Sequence, residues 1–300
     1  MDMTQNKCCR HGASLRRRRR RRRKILRSII FSCSIIAAAV FVAVGSRMIT
    51  SGDGRTNKYD VEAGNNTYDN TVIENSKISE KNKIQNNQSM LDDIMNSTQY
   101  PKQLKDLALK NEEALEFVYD YPAEHVKEHT IDLTEEASMD SVPLFVQWDK
   151  RWGYEKYSGN FFAASGCGPT TLSMVVVYLT HNREASPIAV AKYSKEAGYS
   201  VDGSGSSWTL ISEGCRHYGV NAKTIKEDED TFKERLDEGN LIVVNVGPGD
   251  FTDNGHFMVI TGYDDEGFTI NDPNSIVKSN THWQFERLSS QIRAAWRMFV

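Results

Sequence analysis

Apolar and polar positions divide the chain into four regimes. From Ile29 to Gly45 seventeen consecutive residues carry no charge. As a helix they span about 25 Å, enough to cross a bilayer with Arg27 and Arg47 snorkelling at the ends. Residues 47–97 then contain nine asparagines and no Pro, Trp or Phe. So little apolar area does not offset the entropy of ordering, which predicts a flexible, disordered stalk.

The third regime has helical spacing. Leu104, Leu107 and Ala108 form one short face; Asn111, followed by Glu112 and Glu113, reads as a new N-cap, and Ala114, Leu115 and Val118 continue until Pro122. This helical pair is expected to pack against the core. After Gly166-Cys167-Gly168-Pro169, Leu172, Val175, Val176 and Leu179 fall at i, i+3, i+4 and i+7, with Met174, Val177 and Tyr178 on the other side. That predicts a central helix buried around most of its circumference. Asp230 to Glu238 reads as a further helix, with Phe232 and Leu236 inward and Gly239 as its stop.

In the fourth regime the period changes. Leu241–Val246, His256–Thr261 and Phe268–Asn271 are β-rich runs separated by glycine turns, so the second half is expected to be largely an antiparallel sheet. Ser289 to Met298, with Ile292 and Trp296, reads as a closing helix. The pattern as a whole is α+β, with a folded domain over 98–300 and its core over about 140–300.

Charge decides what the apolar run does. Residues 1–28 hold twelve basic side chains against Asp2 alone, a balance of +11, while the rest of the chain balances to −14 within a total of −3. Eight consecutive arginines, Arg16 to Arg23, would suit a nucleic-acid arm, but the apolar run that follows points instead to a cytoplasmic tail over 1–28 and a transmembrane signal-anchor over 29–46. The folded domain is then extracytoplasmic at the cell membrane, with no nucleic-acid partner. A cleaved signal peptide ending at Ala43-Val44-Gly45 is the alternative, and it also exports the domain.

Five cysteines include only Cys167 and Cys215 beyond the tail and the span. A thiol at a helix N-terminus is stabilised as thiolate by unpaired backbone N–H groups, so Cys167 is a candidate nucleophile unless it is a structural thiol or is tied to Cys215 as a disulfide. Cys215 and His217 lack a second pair at ligand spacing, so no metal site is expected. A thiolate needs a proton carrier, and His256 opens a strand just after Asn254-Gly255. Asp272 ends the partner strand. A hairpin loop over Gly262–Gly267 sets it opposite Phe257, and a tighter loop moves it to Val259. A carboxylate there would fix the imidazole tautomer. The backbone N–H of Cys167 is one oxyanion donor, and Gln147 offers a neutral amide as another.

Gln147 to Tyr154, Gly166-Cys167-Gly168-Pro169-Thr170, Gly255-His256-Phe257 and Asn271-Asp272-Pro273 together resemble the bacterial double-glycine leader (bacteriocin-processing) peptidase-like family of papain-fold cysteine peptidases. The resemblance covers roughly 100–300 and implies a papain-like fold and hydrolysis of peptide bonds without a cofactor. It makes Cys167 the nucleophile, His256 the general base and acid, Asp272 the orienter and Gln147 the oxyanion-hole side chain. In transporter-linked members the glutamine lies a few residues before the cysteine. Here twenty positions separate them, as in the stand-alone exported branch, and no transporter segment is present. The substrate is then a peptide or protein, including the wall-peptide case. The competing expectation is a non-catalytic module holding a peptide or glycan in a cleft lined by Trp148, Trp152 and Trp208. Substrate specificity and oligomeric state are not encoded in any motif.

Overall fold

Leu241–Val246 is apolar at almost every position, and all six residues are buried. A strand apolar at successive positions needs cover on both faces. It forms strand β2 of an antiparallel sheet in a computed structural model that describes residues 67–300, with side chains from residue 81. The other strands are β1 (Asn221–Thr224), β3 (His256–Asp264), β4 (Gly267–Asn271) and β5 (Ile292–Phe299), in the spatial order β1-β5-β2-β3-β4. Leu241, Val243, Phe257, Val259, Trp296 and Met298 face one apolar cluster; Ile242, Val244, Met258, Ile260, Phe268 and Ile270 face another.

On the first face lies the central helix, Cys167–Thr180, whose residues Gly168 to Val177 are all buried. On the second lies the helix Glu229–Asp237, capped by Asp228, whose side chain accepts from the Thr231 N–H, and anchored by the fully buried Phe232. The architecture is α+β, as the hydrophobic pattern predicts.

The closing element differs from expectation. Residues 292–299 form β5, paired with β2 on one side and β1 on the other, and not a helix. Ile292 and Trp296 are four apart, which suits either a helix face or one side of a strand. Two edges needing partners decide for the strand, and a bulge between Asn245 and Val246 absorbs its irregular register.

The stretch read as a stalk also departs from expectation over part of its length. A helix runs from Thr67 to Asn96, and its last turns dock: Ile94 is fully buried, with Met90 and Leu91 packed against the cluster of Leu104, Leu107, Leu115, Phe117 and Val118. Three apolar side chains on one side of an otherwise polar helix are enough to hold its C-terminal end. The expected tail over 1–28, the span over 29–46 and the stalk up to residue 66 lie outside the described residues. Among the described residues no helix is long and apolar enough to cross a membrane.

The docking of that helix is measurable. Ile94→Ala is expected to lower unfolding free energy by about 2–4 kcal/mol in chemical denaturation. Ile84→Ala, whose side chain is 62% exposed, should change it by less than about 0.5 kcal/mol.

Candidate functional site

Cys167 is the first residue of the central helix, after Gly166. The glycines beside it serve packing. A Cβ on Gly166 would lie 2.6 Å from the Phe162 ring, and one on Gly168 would lie 2.6 Å from Ser206 Oγ. Side chains at either position would therefore push the helix start away from its neighbours, so these glycines fix where the sulfur sits. Pro169 lies in the first turn, where an N–H has no intrahelical acceptor. Cys167 is half-buried and free; Cys215 is buried and free, so no disulfide joins them.

His256 is the first residue of β3 and is 5% exposed. Its Nε2 lies 2.7 Å from Asp272 Oδ1. The ring also couples electrostatically to the Cys167 thiol, and with Nε2 on the carboxylate it is Nδ1 that is left for the sulfur. The hairpin register explains the carboxylate contact. Asp264 pairs with Gly267 and Gly262 with Thr269, but a bulge between Ile260 and Gly262 resets the ladder so that Val259 faces Asn271. One step further, Asp272 stands across from Met258, between the two positions that simple loops predict. His256 opens the strand two residues before Met258, so Asp272 reaches the imidazole diagonally across the end of the hairpin.

Burial opposes charge on both partners, yet each is pushed toward its charged form. Desolvation raises the Cys167 pKa, but the hydrogen bond and charge of His256, with backbone N–H groups of Phe257 and Gly168, more than reverse this, so the thiol titrates below its ordinary range. Desolvation lowers the His256 pKa, while the Asp272 carboxylate and the thiolate outweigh it and push the imidazole up to about 10. Both shifts favour the charged pair, thiolate and imidazolium, over the neutral one.

Asp272 is fully buried. Its Oδ1 also accepts from the Asn274 N–H at 2.8 Å, and its own N–H donates to Ser279 Oγ at 2.9 Å. Gln147 is buried; its Nε2 donates to Ala163 O at 2.7 Å, and its backbone N–H donates to Pro273 O at 2.7 Å. The reverse amide orientation would oppose two acceptors, which fixes Nε2 toward Ala163. One N–H of that amide remains free.

Cys167, His256 and Gln147 open together onto a cleft of about 1170 Å³. Its lining includes the loop 248–255, Trp208 and Asn245. Trp208 is exposed and stands edge-on to Trp296. Trp152 is buried and Trp148 donates to Asn274 O, so neither lines the cleft as the binding-module expectation requires. Sequence reasoning missed one part of the lining: Gln103, Asp106, Leu107 and Lys110 of the helix Lys102–Lys110 also border the cleft. Among the described residues no group of three or more His, Cys, Asp or Glu is placed to hold a metal ion.

An α+β fold with a thiol poised beside an imidazole in an open cleft defines a cysteine-dependent hydrolase. Residues 139–300 match the family model described as the Peptidase_C39 like family, and the chain belongs to that family. It is accordingly a cysteine-type peptidase. Solved structures similar to it include the peptidase domain of Streptococcus ComA, a bi-functional ABC transporter involved in quorum sensing (23% identity, 45% of this chain and 90% of that one, TM-score 0.37). A double glycine motif protease from an AMS/PCAT transporter in complex with the leader peptide is 17% identical over 54% of this chain and 94% of that one, with TM-score 0.34. A C39-like peptidase from Bacillus anthracis is 17% identical over 56% and 97%, with TM-score 0.33. No curated protein matches the chain.

The electrostatics give a pH test. Alkylation of Cys167, followed by mass spectrometry of its peptide, should proceed well below the ordinary thiol midpoint of about 8.5. In His256→Ala the partner is gone and burial remains, so the midpoint should rise above that of the parent. Cys215 is an internal reference: burial pushes its thiol up to about 11.

Proposed function

We propose that this peptidase cleaves peptide bonds in extracytoplasmic peptides or proteins through a thioester acyl-enzyme formed on Cys167. The observation that carries the reading is the imidazole of His256 held at 2.7 Å by a buried carboxylate and coupled electrostatically to the Cys167 thiol, both residues lining one cleft. The Cys167 thiolate attacks the scissile carbonyl carbon, and the carbonyl π electrons move to oxygen. The free N–H of Gln147 and the backbone N–H of Cys167 stabilise that oxyanion. Protonated His256 gives its Nδ1 proton to the departing amine as the C–N bond breaks, leaving a thioester and a neutral imidazole. Water then loses a proton to Nδ1 and attacks the thioester carbon, which releases the acid and regenerates the thiolate. Asp272 holds Nε2–H throughout, so that Nδ1 always faces the sulfur.

The same proposal places residues 1–28 in the cytoplasm, crosses the membrane with 29–46 as an uncleaved anchor, and holds the domain outside through the segment that follows. The basic tail before an uncharged seventeen-residue run supports that orientation. A mature protein whose N-terminal sequence starts near Ser46 would rule out the anchor.

Two substitutions test the chemistry. Cys167→Ala should abolish turnover of a peptide library, and residual hydrolysis at the parent rate would refute the nucleophile. Gln147→Ala should lower kcat by about 10²–10³-fold with a smaller change in KM, as removal of an oxyanion donor does.

A further inference from the structure

The carboxylate that orients His256 sits in a tight segment, Asp272 to Ser279, and that segment is clamped from outside by residues well before the family-matched region. Asn111 caps the turn Glu112–Ala114, its Oδ1 accepting from the Glu113 N–H at 3.0 Å. This leaves its Nδ2 to donate, and it does so to Asn274 O at 2.9 Å and Asn274 Oδ1 at 3.0 Å. Glu113 Oε2 accepts from the N–H groups of Ile276 at 2.7 Å and Val277 at 3.1 Å, while Oε1 accepts from Ser275 Oγ. Asn274 and Ser275 in turn hold Asp272: the Asn274 N–H bonds its Oδ1, and the Ser275 N–H bonds its carbonyl at 3.2 Å. Pro273, between them, accepts from the Gln147 N–H.

We propose that Glu113 and Asn111 are positioning residues for the reaction: from the N-terminal helical segment they fix the Asp272–Ser275 turn, and through it the His256 tautomer and the Gln147 amide. The inference rests on the peptidase reading above. Its physical basis is that Asp272 Oδ1 serves two donors at once, the ring and the Asn274 N–H. Displacing Asn274 therefore moves the oxygen that the imidazole needs. Glu113 matters because a carboxylate accepts three donors with two oxygens, and an amide presents one acceptor in their place. The catalytic unit thus begins near residue 102 and not at the start of the family match, consistent with Gln103 and Lys110 lining the same cleft.

The test is a double-mutant cycle in the full chain. Glu113→Gln should lower kcat on the order of tenfold to a hundredfold with KM within about twofold, since groups that orient a reacting side chain act on the chemical step. The alkylation midpoint of Cys167 should rise. In an Asp272→Asn background the same substitution should have no further effect on kcat, because the group it acts through is already lost. Asn111→Asp keeps the cap acceptor but sets a carboxylate oxygen against the two Asn274 oxygens that the amide served, so it should reproduce the effect without unfolding the segment. Glu116→Gln, an exposed carboxylate three residues on, is the control and should leave kcat and the midpoint as in the parent. Equal losses of kcat in both backgrounds with an unmoved midpoint would reduce Glu113 to a stabilising contact and overturn the proposal, as would unchanged kinetics. A parent protein with no hydrolysis and an ordinary thiol midpoint would instead refute the peptidase reading itself, an outcome distinguishable by the parent alone.

Discussion

A charged imidazole at 5% exposure is the constraint around which the rest of this domain is arranged. Removing an ion from water is costly, and a buried histidine would ordinarily give up its proton. It keeps the proton here because a carboxylate lies on one side and a thiol able to ionise lies on the other. Either partner alone would form a neutral pair with the ring; with both ionised one net negative charge remains, and it is met by the Asn274 N–H on the carboxylate and by backbone N–H groups at the sulfur. The sulfur and the carboxylate must therefore be delivered to the same ring from elements far apart in sequence, and the sheet and the central helix serve that end.

The delivery relies on backbone irregularity as much as on regular structure. A regular ladder would set Asp272 opposite Val259, whereas the bulge between Ile260 and Gly262 brings it beside Met258, one residue nearer the ring. The central helix begins where Gly166 and Gly168 allow Phe162 and Ser206 to close in. In each case one missing side chain or one extra residue sets where a group of the site lies, and in a close-packed interior a change there displaces its neighbours.

This also explains what was legible in the sequence. Cys167 stood out because glycine, proline and an apolar run mark a buried helix start with local rules only. His256 and Asp272 were visible as residues at adjacent ends of a hairpin, but their register was not, since a bulge has no dependable signature in a Thr-Gly-Tyr stretch. The last strand was misread as a helix because Ile292 and Trp296 fit both periods, and only the open edges of β1 and β2 choose between them. The helix Thr67–Asn96 was hidden by its polarity: Met90, Leu91 and Ile94 dock it, and their value depends on a partner surface formed by residues further along the chain. The clamp of Asn111 and Glu113 on the Asp272 turn spans more than 160 positions and leaves no local trace beyond an ordinary N-cap.

The nineteen residues between Gln147 and Cys167 show how a long excursion of the chain can preserve a site. Trp152 Nε1 donates back to Val146 O at 2.8 Å, and the Ala163 N–H donates to Gly153 O at 3.0 Å. The excursion therefore closes on itself and returns Ala163 to the glutamine that it binds. Gly153 makes that closure feasible, since a Cβ there would lie 2.7 Å from the Phe117 ring, on the N-terminal helical segment. The loop that separates the amide from the sulfur is thus braced by the same segment whose Asn111 and Glu113 brace the carboxylate. Amide, sulfur and carboxylate depend on a single packed flank, so the N-terminal helices are structurally part of the site and not an appendage to it.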